Sequence, residues 1–262
     1  TLLRTDGTIS AETKSAIDGY IAAGGTFGIC TGRMTGSILP RAKELGLKGL
    51  VSSYQGSVIT DIESGKLLVD GYIPAENAAE ICRVFEGLNL HTHVYTLDEF
   101  FVNRQDEALE MYENVCKVKG NVVTDEPLSS FVLKKGFKVR KVLAMVYPEE
   151  KKRIFGIVSE ALGDKFYVTY SAASLVEITS RQYSKGTAVR FMADYYGVPV
   201  EKTIAAGDSL NDLPMLEAAG LGIAVKNADE ALKDKALAFE YSNDENAIGK
   251  IIETYGFTGE KE

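Results

Sequence analysis

Tryptophan is absent from this 262-residue chain, and cysteine and histidine are scarce, with three and two copies. Cys30, Cys82 and Cys116 form no C-x-x-C pair and no even-numbered set, so a disulfide framework is excluded. The expectation is a reduced, cytoplasmic protein with ordinary buried thiols. Cys30 falls inside an apparent strand with no electropositive neighbour in sequence, which reads as packing rather than nucleophile chemistry. No apolar run reaches about eighteen residues, so no membrane span is expected, and no signal-peptide pattern opens the chain. A basic stripe is missing too: the net charge of −8 argues against nucleic acid as a partner. Internal repeats and low-complexity linkers are not seen. What remains is 45% hydrophobic and 25% charged, ordinary for a globular protein of one large or two medium domains.

The patterning divides the chain. Ser10 to Ala23 reads as a helix with Ser10 as N-cap and Ala16, Ile17, Tyr20 and Ile21 on one face. A short strand over Thr26–Cys30, a helix over Ser37–Leu45 and a strand over Leu50–Ser53 follow, an alternation that predicts a parallel sheet covered by helices. From Asn77 the pattern turns to α+β. Helices are expected over Ala78–Phe85, Glu107–Lys117 and Glu149–Leu162. Strands are expected over His91–Tyr95, Glu99–Asn103, Val139–Tyr147, Phe166–Tyr170 and Leu175–Thr179. After Gln182 the alternation resumes, with a helix over Lys185–Tyr196, a strand over Thr203–Gly207, a helix around Pro214, a strand over Gly222–Val225 and a helix over Ala228–Lys235. The expected fold is α/β, a doubly wound parallel sheet formed by residues 1–76 and 182–262, interrupted by an inserted α+β domain at 77–181.

Chemistry concentrates at three places in the first and last parts. In Gly207-Asp208-Ser209-Leu210-Asn211-Asp212 a buried strand stops and a helix with Pro214 in its first turn begins. Ligands bind at the carboxyl ends of strands in open α/β sheets. Two acids there repel unless a cation lies between them, and hard cations such as Mg²⁺ take oxygen ligands. Thr31-Gly32-Arg33 ends another strand, where a hydroxyl and a glycine N–H can donate to an anion. Ser184-Lys185-Gly186-Thr187 opens a helix with a lysine that the helix dipole disfavours, so its charge is expected to face a phosphate or a carboxylate. Each piece alone also reads blandly, as a turn, a solvated lysine or a surface acid pair.

Together the three pieces resemble motifs II, III and IV of the haloacid dehalogenase superfamily, nearest its Cof-type phosphatases with a type 2 cap. The tail Ser242-Asn243-Asp244-Glu245-Asn246 fits as well. The resemblance implies a Mg²⁺-dependent phosphatase for a small phosphorylated metabolite, a sugar phosphate or similar, acting through an aspartyl-phosphate under a cap. It assigns Asp208 to the metal and Asp212 to the metal's outer shell. It assigns Asn211, Thr31 and the Gly32 backbone to the phosphate. Lys185 neutralises the nucleophile and the phosphate.

The family's first motif, Asp-x-Asp-Gly-Thr, is not found intact. Thr1-Leu2-Leu3 reads as its end, so the nucleophile and the acid/base aspartate are expected before Thr1, on about ten residues comprising a strand and the motif. Asp6-Gly7-Thr8 imitates the motif, but Arg4 stands two positions earlier and no strand precedes it; Asp6 is read as a turn residue. A phosphomutase of the same fold is one alternative. A phospho-ligand-binding regulator without catalysis is the other, and the chain taken literally supports it. His91 and His93 share a strand face and are expected at the surface or facing substrate rather than on a metal. Tyr95, Tyr167 and Tyr170 are expected mostly to pack, with a sugar pocket as the other role. Arg33 is weighed between substrate, cap and solvent. Gln55, where related sequences carry Asn-Gly, leaves the role of its loop open. Oligomeric state is not legible.

Overall fold

A computed structural model describes residues 1–171 and 174–257 of the chain. Helix α1 (Ala11–Ala22) begins at Ser10, whose hydroxyl accepts from the Thr13 N–H. Strand β1 (Ile29–Cys30), helix α2 (Thr35–Glu44) and strand β2 (Leu50–Ser53) follow, with β1 and β2 parallel. The chain then departs from the expected alternation. Strands β3 (Val58–Asp61) and β4 (Leu67–Asp70) add to β2 in antiparallel fashion, so the sheet β1-β2-β3-β4 is mixed.

Residues 75 to 180 build a second sheet. In order they form α3 (Ala75–Gly87), β5 (His91–Tyr95), β6 (Phe100–Val102), α4 (Glu107–Cys116), β7 (Asn121–Val122) and α5 (Leu128–Lys135). Strand β8 (Lys141–Met145), helix α6 (Lys151–Leu162) and strands β9 (Phe166–Ser171) and β10 (Leu175–Ser180) complete it. The strand order is β7-β6-β5-β8-β10-β9. Alternate residues point to opposite faces of a strand. One face, with Val94, Val142 and Ile178, packs on Phe85 of α3, Val132 of α5 and Val158 of α6. The other, with Tyr95 and Leu143, packs on Leu109 of α4 and on Met34 and Tyr54 of the first part of the chain. Because both faces are covered, β5 is buried throughout. His91 and His93 are therefore buried rather than surface residues, which corrects the expectation from their alternation.

The last part supplies α7 (Lys185–Tyr195), β11 (Ile204–Gly207), α8 (Leu213–Ala218), β12 (Leu221–Ala224), α9 (Glu230–Lys233), β13 (Leu237–Ala238) and α10 (Ala247–Ile251). Strands β11, β12 and β13 form a parallel sheet. Helices lie on both faces of these sheets. Val51 of β2 packs with Ile17 and Ile38, while its neighbour Leu50 packs with Met192 of α7. Ile223 of β12 packs with Ile251, and the adjacent Ala224 with Leu216 of α8.

Among the described residues β1 pairs only with β2, and β11 only with β12. A cavity of about 810 Å³ reaches residues 26–31, along β1, and residues 203–206, along β11. The strand expected over Thr26–Cys30 shrinks to Ile29–Cys30, since residues 26–28 find no partner in β2. No helix among the described residues is long and apolar enough to cross a membrane.

Candidate active site

Strand β11 ends at Gly207, and the chain turns tightly over Leu210–Asp212 into α8. The turn is closed by Asp212, whose Oδ2 accepts from the N–H groups of Asp208 (2.8 Å) and Ser209 (3.0 Å). Gly207 makes this possible. A Cβ there would stand 2.4 Å from the Cβ of Asp212, so any side chain would displace the carboxylate that closes the turn. Asp208 is left at the carboxyl end of a buried strand, its carboxylate partly open to the cavity.

Helix α7 brings in Lys185. Ser184 caps it by accepting from the Thr187 N–H, and Lys185 is the first helical residue. Its Nζ lies 2.5 Å from Asp212 Oδ1, with both side chains buried. Burial alone would lower the lysine's pKa. The Asp212 charge and hydrogen bond, with smaller contributions from Cys30 and Asp208, outweigh it and hold the pKa above its ordinary value. Lys185 is therefore a fixed cation.

Beyond β1, the backbone N–H of Thr31 is held by Ser52 and its hydroxyl accepts from the Arg33 N–H at 3.2 Å. Thr31, Gly32, Lys185, Asp208, Asn211 and Asp212, which are distant in sequence, all line the one cavity. Asn211 is buried and donates through Nδ2 to Gln55 Oε1 at 3.1 Å, while its Oδ1 has no partner. A buried amide with unused capacity beside a lysine is suited to an oxyanion with bound water or a protonated oxygen. Arg33 also lines the cavity.

The donor set admits a hard cation on one side only. Asp208 offers carboxylate oxygens, and the Thr1 hydroxyl donates to its Oδ1. Asp212 has spent its oxygens on Lys185 and two N–H groups, so it reaches a cation only through the Asp208 turn. Hard cations take several oxygens, and one carboxylate leaves such a site incomplete.

Of the other sequence candidates, Cys30 lines the same cavity, while Asp6, Tyr95 and Tyr170 lie outside it. Asp6 is exposed, and its carboxylate accepts from the N–H (2.8 Å) and hydroxyl (2.6 Å) of Thr8, closing a local turn. Cys30 is a free thiol, and burial pushes its pKa up to about 11. Tyr95 packs against Phe100, and Tyr170 against Phe155. Tyr167 is the one near the chemistry: its pKa is raised chiefly by burial, and it feels the charges of Lys185 and Asp212. Sequence reasoning missed Lys141 and Glu177, which line the same cavity from β8 and β10. For Glu177 a signal was present, as it is a lone charge within the apolar stretch Leu175-Val-Glu-Ile; Lys141 follows Arg140 at a strand start and gave none.

Residues 1–252 match the model of the haloacid dehalogenase-like hydrolases. The chain belongs to that family. It is 29% identical to phosphatase YwpJ of Bacillus subtilis, over 96% of this chain and 95% of that one. It is also 29% identical to the B. subtilis 5-amino-6-(5-phospho-D-ribitylamino)uracil phosphatase YwtE, over 97% and 94%. A solved haloacid dehalogenase-like hydrolase from B. subtilis superposes with a TM-score of 0.83 at 26% identity, covering 97% of this chain and 95% of the other. The hydrolase is thus an enzyme of the phosphatase class with the fold of this family.

Proposed function

We propose that the protein is a Mg²⁺-dependent phosphatase of a small phosphorylated metabolite, a sugar phosphate or similar, that works through an aspartyl-phosphate in the cytoplasm. The observation that carries this is the convergence of Lys185, Asp208, Asn211, Thr31 and Gly32 on one cavity at the carboxyl ends of β1 and β11. Residues 1–76 and 182–262 act as the core and 77–181 as a cap over the leaving group. The three cysteines are unbridged, in keeping with a reducing compartment.

The reaction uses two aspartates, one as nucleophile and one as acid. The first attacks phosphorus; the P–O bond to the leaving group breaks, and the second aspartate gives that oxygen its proton. Water then attacks phosphorus, the acyl-phosphate P–O bond breaks, and free carboxylate and inorganic phosphate result. Thr31 and the Gly32 N–H hold phosphoryl oxygens, and Lys185 holds negative charge as it shifts between nucleophile and phosphate. Asp208 would hold Mg²⁺, which when bound offsets the charge of the phosphate and the carboxylates.

The test is release of inorganic phosphate from p-nitrophenyl phosphate and a panel of sugar phosphates with Mg²⁺. Turnover lost in Asp208→Ala supports the reading. Phosphate esters that bind without turnover would favour the regulator, and isomerised sugar phosphates without phosphate release would favour the mutase.

A further inference from the structure

Lys141 and Glu177 form an ion pair with Nζ 2.8 Å from Oε2, each 2% exposed. Burying two charges is costly and rarely adds stability over an apolar pair, so the partners of this pair matter. Lys141 Nζ also donates to the carbonyl oxygen of Gly32 at 2.8 Å and lies 4.8 Å from the Tyr95 ring centroid. Glu177 accepts from Ser171 Oγ and, at 3.0 Å, from Gln55 Nε2. Gln55 Oε1 in turn accepts from Asn211 Nδ2 at 3.1 Å. Gly32 and Asn211 belong to two separate phosphate-binding turns, and a continuous hydrogen-bonded chain joins them by way of the six-stranded sheet.

Gln55 is held at a cost. It is fully buried, and it and Tyr54 both have left-handed backbones, with φ of 60° and 49°. Strain of this kind persists where the surroundings fix it and clusters at functional sites. Gly32 admits the amide, since a Cβ there would lie 2.3 Å from Gln55 Nε2. The chain also has a direction. A carboxylate only accepts, so Glu177 turns the Gln55 NH₂ toward itself and the Gln55 oxygen toward Asn211. Asn211 must then point its NH₂ at Gln55, which leaves its second N–H and its unpartnered Oδ1 for the site.

We infer that Gln55, Lys141 and Glu177 are positioning residues for phosphate binding, a relay that sets the Gly32 backbone and the Asn211 amide relative to one another and ties both to the sheet above. The inference rests on the reading of Gly32 and Asn211 as phosphate ligands. The relay makes phosphate affinity depend on residues that do not touch phosphate.

The experiment measures competitive inhibition by inorganic phosphate, and KM against kcat for one substrate, in the Mg²⁺-loaded enzyme and in Gln55→Met and Glu177→Gln. Gln55→Met keeps volume and leaves the Lys141–Glu177 pair intact. Glu177→Gln keeps shape but frees the relay's direction. The expected result is a rise of roughly ten-fold in both the phosphate inhibition constant and KM, the loss of one charge-assisted hydrogen bond, with kcat changed less. Folded variants whose KM and inhibition constant stay within about two-fold of wild type would overturn the relay, leaving phosphatase function intact. A wild-type enzyme with turnover but no inhibition by phosphate would overturn it too. A wild-type protein that neither turns over esters nor binds phosphate would overturn the functional reading along with it.

Discussion

Asp212 holds Lys185 with one carboxylate oxygen, at 2.5 Å, and the backbone of Asp208 and Ser209 with the other. One side chain thereby fixes both the cation and the acid of the site. The pair is buried, so breaking it on one side is severe. Lys185→Met is expected to destabilise the fold by about 3–5 kcal/mol, because Asp212 is left charged and unpaired. Adding Asp212→Asn should recover much of that stability and none of the activity. Urea unfolding and p-nitrophenyl phosphate turnover on the two variants check both halves.

Asp208 is the acid of the turn whose carboxylate is not spent on Lys185 or on backbone N–H groups. Mg²⁺ is expected to raise the melting temperature of the wild type, as any ligand of the folded state does. Asp208→Asn should lose that rise along with turnover. A melting temperature equally sensitive to Mg²⁺ in the variant would place the metal elsewhere.

Gly207 lies where a methyl group would meet the Asp212 side chain. Gly207→Ala is expected to cost about 1–3 kcal/mol, as overpacking does, and to lower kcat by moving the Lys185–Asp212 pair. Kinetics at a fixed temperature below both melting points separate the two effects.

His93 is fully buried, and its pKa is pushed well below the ordinary 6.5, chiefly by burial and further by His91 and Lys141. In acid below about pH 6.5 the unfolded chain takes a proton there and the folded one does not. Stability is therefore expected to fall as pH drops from 7 toward 5, by up to about 1.4 kcal/mol per pH unit from this residue. His93→Gln should flatten that part of the stability profile relative to wild type. An unchanged slope would remove His93 as the cause.

The Asp208 turn was legible because an apolar strand stops at Gly207 and polar residues crowd into the next five positions. Ser10 marked α1 through its capping chemistry. The β3–β4 hairpin was not legible: Val58–Asp61 is short, and its partner strand is set by tertiary pairing. His91 and His93 misled for a related reason. Alternation implies one wet face, but α4 and Tyr54 cover that face from outside the strand. The roles of Lys141, Glu177 and Gln55 depend on contacts across more than a hundred residues in sequence, which no local pattern encodes.

The most direct measurement mixes the active enzyme with substrate and Mg²⁺, quenches in acid and locates the phosphoryl group by peptide mass spectrometry. The expected result is one phosphoryl group on an aspartate other than Asp6, Asp208 and Asp212. A phosphoryl group on one of those three, or turnover without any phosphoaspartate, would contradict it.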